Sequence, residues 1–303
     1  MLNGCFIGRL FGGFVHAGAL LGNCLALAQE APLQAASETA ADGPAGIADN
    51  SFFIEEAYNQ EAGVVQHIQT ADWRKDRAGG GATRSFSYAF TQEWPLTGVK
   101  HQLSYTLPYQ SLAGDQPHDS GLGDALLNYR YQFWEESDSR PAFAPRLSLV
   151  FPTGDEEEGF GAGGFGYQIN FPLSKKVGDF LHLNLNAGIT GVPGARRDLP
   201  GGGESASLDL FGSHIGFSGI LLLRPTCNIL LEFLSSTEES INDAGDKEEE
   251  TLVLFSPGVR TAINTRDGAQ WVLGAALPFG LSSAEDDIGF LAYLSFEHSF
   301  KRD

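Results

Sequence analysis

Lys and Arg are scarce in this chain of 303 residues, 19 against 38 Asp and Glu, which gives a formal net charge of −19. That balance excludes a nucleic-acid partner, because phosphate contacts need clustered cations. A single methionine and only 19% charged residues stand beside 38 glycines and 22 phenylalanines. Helix-rich soluble domains need Ala, Glu, Lys and Leu at helical spacing; their shortage here points to sheet. Past the first 28 residues no run of about 18 apolar residues exists, so a transmembrane helix is excluded there. Any membrane crossing must be made by strands. Seven histidines are scattered with no close pair, which leaves no zinc-ligand spacing, and no cofactor is expected.

What is present begins with a targeting segment. Arg9 is the only charge in the first 28 residues, an apolar stretch runs from Leu10 to Leu27, and Ala26-Leu27-Ala28 supplies a small-x-small cleavage pattern. An uncleaved anchor helix is the competing reading. Cleavage would remove Cys5 and Cys24 and leave Cys227, which alone could form neither an internal disulfide nor a thiolate cluster. The expected organisation is a signal peptide over 1–28, a flexible leader rich in Ala, Glu, Pro and Gly over 29–50, and a barrel over 51–303 with strands from about 63.

From there alternation with period two dominates. Between Val99 and Tyr109, Val99, Leu103, Tyr105, Leu107 and Tyr109 share one face while Lys100, Gln102, Ser104 and Thr106 take the other. Similar segments recur to the C-terminus and bring the count to about twelve strands. A soluble barrel would have to pack all those Phe, Tyr and Leu inward. A membrane barrel turns them to lipid and keeps a polar lumen. On that reading Asp124, Asn128, Arg130, Arg146, Gln168, His182, Asn184, Glu232, Arg260 and Glu297 line the lumen. The segment from Phe52 to Glu61 is a candidate to fold into it.

The connections support the membrane reading. Each odd connection in the alternation pattern (75–82, 110–121, 154–162, 191–206, 238–250) is longer than the even one after it (95–98, 135–141, 174–179, 224–226, 264–268). Long external loops and short periplasmic turns produce that asymmetry. Trp94, Trp134 and Trp271 fall at the short-turn rim and Trp73 at the other, as aromatic girdles require. The fold class is therefore all-β: a transmembrane antiparallel up-and-down barrel in the outer membrane of a Gram-negative bacterium.

Several runs carry a resemblance: Phe52-Phe-Ile-Glu-Glu-Ala-Tyr-Asn-Gln-Glu61, Gly63-Val-Val-Gln-His-Ile68, Gln92-Glu-Trp-Pro95 and His101-Gln-Leu-Ser104. They continue with Gly121-Leu-Gly-Asp-Ala-Leu-Leu-Asn-Tyr-Arg-Tyr-Gln132, Pro145-Arg-Leu-Ser148 and Pro152-Thr-Gly-Asp155. Together, over about 50 to 195, these runs resemble the outer-membrane proteins labelled "MetA-pathway of phenol degradation". The resemblance implies an outer-membrane location and a role in moving small molecules. It implies no substrate and no binding residues.

Other motifs have bland readings. Gly161-Ala-Gly-Gly-Phe-Gly166 matches the G-x-G-x-x-G pattern, but an alternating strand follows it where a nucleotide site needs a helix. Asp155, Glu156, Glu157 and Glu158 are weak candidates for a divalent cation, against solvated loop residues. His101 and His298 have no nucleophile beside them, so the chain is not expected to be an enzyme. Two functions remain. One is a passive channel or facilitator for small solutes, hydrophobic or aromatic ones included. The other is a closed structural or interaction barrel whose acidic external loops engage divalent cations, lipopolysaccharide or other partners.

Overall fold

The computed structural model describes residues 46–47, 49–76, 83–113, 119–156, 158–199, 205–281 and 288–300. The expected signal peptide and most of the leader lie outside those residues. Among the described residues there is no helix; sixteen strands make twelve staves. The first three staves are β1 (Val64–Asp76), β2 (Thr83–Pro95) and β3 (His101–Ala113). The fourth is split into β4 (Asp119–Leu122) and β5 (Ala125–Tyr131), and the fifth into β6 (Ala142–Phe143) and β7 (Arg146–Phe151). The sixth comprises β8 (Gly166–Asn170) and β9 (Leu173–Val177). Four continuous strands follow: β10 (Leu181–Asp198), β11 (Ser205–Arg224), β12 (Cys227–Ile241) and β13 (Lys247–Asn264). β14 (Gln270–Ala276) with β15 (Phe279–Gly280) and then β16 (Ile288–Ser299) complete the order. Neighbours pair antiparallel, and β16 pairs β1 from Val64↔Ser299 to Lys75↔Ile288, which closes the barrel.

Three of the four split staves break at a proline: Pro145, Pro172 and Pro278. Proline has no N–H to give the ladder, so the pairing restarts beyond it.

The two faces are chemically inverted relative to a soluble barrel. Phe217, Leu149, Tyr167, Leu231, Phe255 and Leu273 are exposed on the outer face, whereas Gln102, Ser148, Asn184, Ser218 and Arg260 are buried on the inner one. Aromatic rings mark both rims. Trp73 lies 5.0 Å from Phe86 and 5.8 Å from Phe290 at the long-loop rim. At the short-turn rim Trp271 stacks on Phe296 at 4.2 Å, and Phe133, Trp134 and Phe143 form a continuous run.

Three expectations are corrected. The inner face is not uniformly polar: Ile68, Ile220, Leu230, Val272 and Leu291 form a buried apolar cluster inside the barrel with Ile47, Phe52 and Tyr293. Connection lengths do not alternate strictly. The 132–141 connection is longer than 114–118, and 242–246 only equals 265–269, because strands run into stretches expected as loops. Glu238, Glu239 and Glu248 to Glu250 thus lie in ladder positions of β12 and β13. In the full chain Cys227 is disulfide-bonded. The expectation of a lone cysteine concerned the chain after cleavage, and Cys5 and Cys24 lie outside the described residues.

The outward face makes a direct prediction. Phe217→Arg places a cation against lipid and should destabilise the barrel by about 2–4 kcal/mol near the midplane. Urea unfolding in phospholipid vesicles measures this; a cost near zero would show that Phe217 does not face hydrocarbon.

Candidate functional site

The lumen is occupied by the chain's own residues 46–47 and 49–63. Ile47 N donates to Pro225 O (3.1 Å) at a short turn, and the segment rises into the barrel before returning to β1. It has no regular secondary structure, so its backbone amides need acceptors from elsewhere. The inward side chains supply them. Phe53 N (2.8 Å) and Ile54 N (3.2 Å) donate to Glu232 Oε1. Glu55 N donates to Asn186 Oδ1 (3.0 Å), Ala57 N to Ser174 Oγ (2.7 Å), Asn59 N to Gln132 Oε1 (3.0 Å) and Gln60 N to Gln102 Oε1 (2.7 Å). Carbonyls are covered in turn. Arg260 Nη1 donates to Asp49 O (2.8 Å) and Asn50 O (2.6 Å), and Asn186 Nδ2 donates to Glu55 O (2.8 Å).

Side chains of the segment are seated as closely. Phe52 lies 5.2 Å from the Tyr293 ring, over Gly274 and Gly258. A Cβ at Gly274 would come within 2.5 Å of Phe52, so only glycine admits the ring there. Gly216 makes the same allowance for Ile54. Asp49 receives Gln66 Nε2 (2.8 Å), Tyr293 OH (2.6 Å) and Ser295 Oγ (2.6 Å).

At the centre stands Glu55. Its Oε2 accepts from Arg130 Nη2 at 2.7 Å, and its Oε1 from Arg146 Nη2 at 2.7 Å and Nε at 2.9 Å. Asn128 Oδ1 receives Arg146 Nη1 (3.0 Å) and Ser148 Oγ (2.6 Å), which orients the Arg146 fork. Buried charges of this kind need such pairing.

The segment separates two cavities. On the short-turn side about 440 Å³ is lined by Glu56, Asn59, Lys176, His182, Gln270 and Glu297, among others. On the long-loop side about 260 Å³ is lined by Phe53, Ile54, Glu55, Leu126, Arg146 and Gln168, among others. Asn50, Glu93 and Arg130 belong to both walls.

The residues expected in the lumen divide accordingly. Asn128, Arg130, Arg146, Glu232 and Arg260 meet at the segment or support those that do. Gln168 faces the long-loop cavity, and His182 and Glu297 the short-turn one. Asn184 is buried and accepts from Ser174 Oγ (2.7 Å), which itself holds Ala57 N. Asp124 departs from the pattern: in the break between β4 and β5, its carboxylate holds Gly154 N (2.9 Å) and Ala162 N (2.8 Å) of the following loop. Of the weak cation candidates, Glu157 lies outside the described residues, and Asp155 caps its own turn through Glu158 N (3.2 Å). No cluster of three His, Cys, Asp or Glu is arranged for a metal among the described residues. Two histidines far apart in sequence come together in space. His67 and His298 approach at 3.3 Å between ring nitrogens, because barrel closure joins the two ends of the chain.

Four residues central to the segment were not singled out from sequence: Glu55, Gln102, Gln132 and Asn186. Gln102, Gln132 and Asn186 sit at polar positions of alternating strands, so the signal existed; only their acceptor role was hidden.

These features define a class: a closed outer-membrane β-barrel of twelve staves whose lumen is threaded by its own N-terminal segment. No family model and no curated protein matches the sequence. The crystal structure of the COG4313 outer membrane channel from Pseudomonas putida F1 is similar, with TM-score 0.58 at 12% identity over 80% of this chain and 98% of that one. The translocator domain of the autotransporter NalP from Neisseria meningitidis matches with TM-score 0.49 at 11% identity, over 80% and 90%. At such identities the likeness carries the fold alone.

Two predictions follow from the contacts. Glu232→Leu leaves the Phe53 and Ile54 amides without an acceptor, at about 1–3 kcal/mol each. Hydrogen exchange at those amides should accelerate by about tenfold or more, and unchanged protection would refute the role. The second concerns Glu136, in the turn between β5 and β6, which receives Tyr58 OH (2.6 Å), Lys176 N (2.8 Å) and Lys175 Nζ (3.0 Å). Partial burial pushes its carboxyl up, but the bonds from Tyr58 and the two lysines outweigh it and hold the carboxyl below the ordinary 4.5. A lowered folded value means that the contact stabilises fully above pH 4.5 and is lost as pH falls below it. Proteolysis between Tyr58 and Glu61 should therefore increase in acid, and Glu136→Gln should abolish that pH dependence.

Proposed function

We propose that this protein is a passive outer-membrane channel or facilitator for small solutes, hydrophobic and aromatic ones included, and that it belongs with the "MetA-pathway of phenol degradation" proteins that its sequence resembles. One observation carries the reading. Residues 49–60, with the inward side chains of Glu93 and Arg130, stand between a cavity of about 440 Å³ at the short-turn end and one of about 260 Å³ toward the long loops. A purely structural barrel has no need for two cavities meeting at three shared residues. A path needs that arrangement, closed by a segment held through side-chain contacts and free of the strand ladder. On this reading the short-turn end faces the periplasm, lipid and lipopolysaccharide surround the apolar outer face, and no chemical step is performed.

The closed-barrel alternative has an observation of its own: the amides of Phe53, Ile54, Glu55, Ala57, Asn59 and Gln60 are all satisfied in the closed state. Planar-bilayer recording separates the two. The full chain should show infrequent openings, and a deletion of 49–60 should show a large, sustained conductance. Gly274→Val, which evicts Phe52 without shortening the chain, should raise open probability. Heat-modifiable migration on gels verifies that each variant is a folded barrel. Folded deletion and Gly274→Val barrels that pass no current would sink the channel reading and leave the structural one.

A further inference from the structure

Arg130 and Arg146 hold one carboxylate between them, and that carboxylate is the protein's own. Arg146 presents Nε and Nη2 as a planar fork to Glu55, with Oε1 at 2.9 and 2.7 Å, and Arg130 closes on Oε2 from the other side at 2.7 Å. Both Arg146 donors converge on Oε1, and Nε also reaches Oε2 at 3.2 Å; such charge-assisted bonds are the means by which a guanidinium recognises a carboxylate. The cluster holds two cations against one contacting anion. Glu93, the next acid, lies close enough to act on Arg130 electrostatically, but its hydrogen bond is from Gln102 Nε2 at 2.7 Å. Arg130 Nε has no hydrogen-bond partner among the described residues.

The clamp is reachable. Glu55 keeps 22% side-chain exposure and Arg146 15%, whereas Arg130 keeps 4% and forms the back wall. What reaches it is the 260 Å³ cavity on the long-loop side, a volume at the small end of ligand pockets. Phe52, Phe53, Ile54, Ile68, Leu126 and Tyr293 add apolar surface to the lining of that cavity. A charged end and an apolar body are thus accommodated side by side. Glu55 is also held by its backbone, through Asn186 on both N–H and C=O, so its side chain can leave while the main chain stays.

We infer that the Arg130–Arg146 clamp is a binding site for the carboxylate of a small solute with an apolar body, and that the solute enters by displacing Glu55. One carboxylate replaces another, so neither guanidinium is left buried and unpaired, which would be the costly outcome. Glu55 competes from the same chain, at an effective concentration that a short tether sets in the millimolar range. The site in the intact protein is therefore weak, as a channel site must be to release what it binds. This inference rests on the channel reading, since it makes the bound solute the passenger.

The experiment measures binding apart from transport. Benzoate is the probe, with benzyl alcohol and benzenesulfonate as comparisons, titrated into the full chain in detergent micelles by saturation-transfer NMR. Benzoate should bind weakly to the wild type, and Glu55→Gln should tighten it by about tenfold or more by removing the tethered competitor. Glu55→Gln combined with Arg146→Gln should lose binding. Where Glu55→Gln does not assemble, the wild type still decides. The carboxylate carbon signal of Glu55 should shift on saturation with benzoate and stay fixed with benzyl alcohol. Equal binding of benzyl alcohol or benzenesulfonate, benzoate binding that ignores Arg146, or a Glu55 signal that never moves would each overturn the assignment. A barrel that binds benzoate as described but conducts nothing in any variant removes the channel reading and leaves the clamp.

Discussion

The structure depends on how a stretch of chain with no secondary structure has its backbone amides satisfied inside a membrane protein. Strand amides are consumed by the ladder, and no bulk water is available at the middle of a filled lumen. The segment from Phe53 to Gln60 takes its acceptors from side chains of five staves: Glu232, Asn186, Ser174, Gln132 and Gln102. Each acceptor is inward-facing because alternation along its strand puts it there. The polar face of the barrel is thus a template for the backbone of residues 53–60, and the closed state is written in hydrogen bonds that a different geometry would leave unmade.

The lumen is consequently two-sided. Staves from β3 to β10 contribute amides, hydroxyls and the two clamp arginines. Staves from β11 round to β1 contribute Ile220, Leu230, Val272, Leu291 and Ile68, which make a dry seat for Phe52 and Ile47. Burying an aromatic ring against that wall contributes about 1.5–3 kcal/mol, which helps to hold the segment without strand pairing. Glycines at 274, 258 and 216 make room for it. The long-loop cavity is accordingly lined by both charged and apolar groups, Arg130 and Arg146 with Phe52, Ile68 and Tyr293.

Much of this was legible before any coordinates. Alternation placed Asn128, Arg130, Arg146, Glu232 and Arg260 on one face of their strands, and they do face the lumen. It failed where the strand itself fails. Asp124 has the right parity but lies at a break, where the chain turns away and its carboxylate meets loop amides instead. It also failed where apolar residues occupy inward positions, as Ile220 and Leu230 do, because a pattern of two faces does not say which face carries a guest. The nearness of His67 to His298 had no local trace either; 231 positions separate them, and only ring closure joins them.

The amino-acid order alone determined the stave number, the outward turn of the large apolar groups and the polar inward set, since these follow from a period of two and from the scarcity of alternatives to sheet. It nominated residues 52–61 for the lumen but could not assign Glu55 a partner. Pairing Glu55 with Arg130 and Arg146, seating Phe52 over Gly274, and dividing the interior into two cavities were decided by the closed barrel. Those contacts join positions 75 or more residues apart, and their distances exist only once the first and last strands have met.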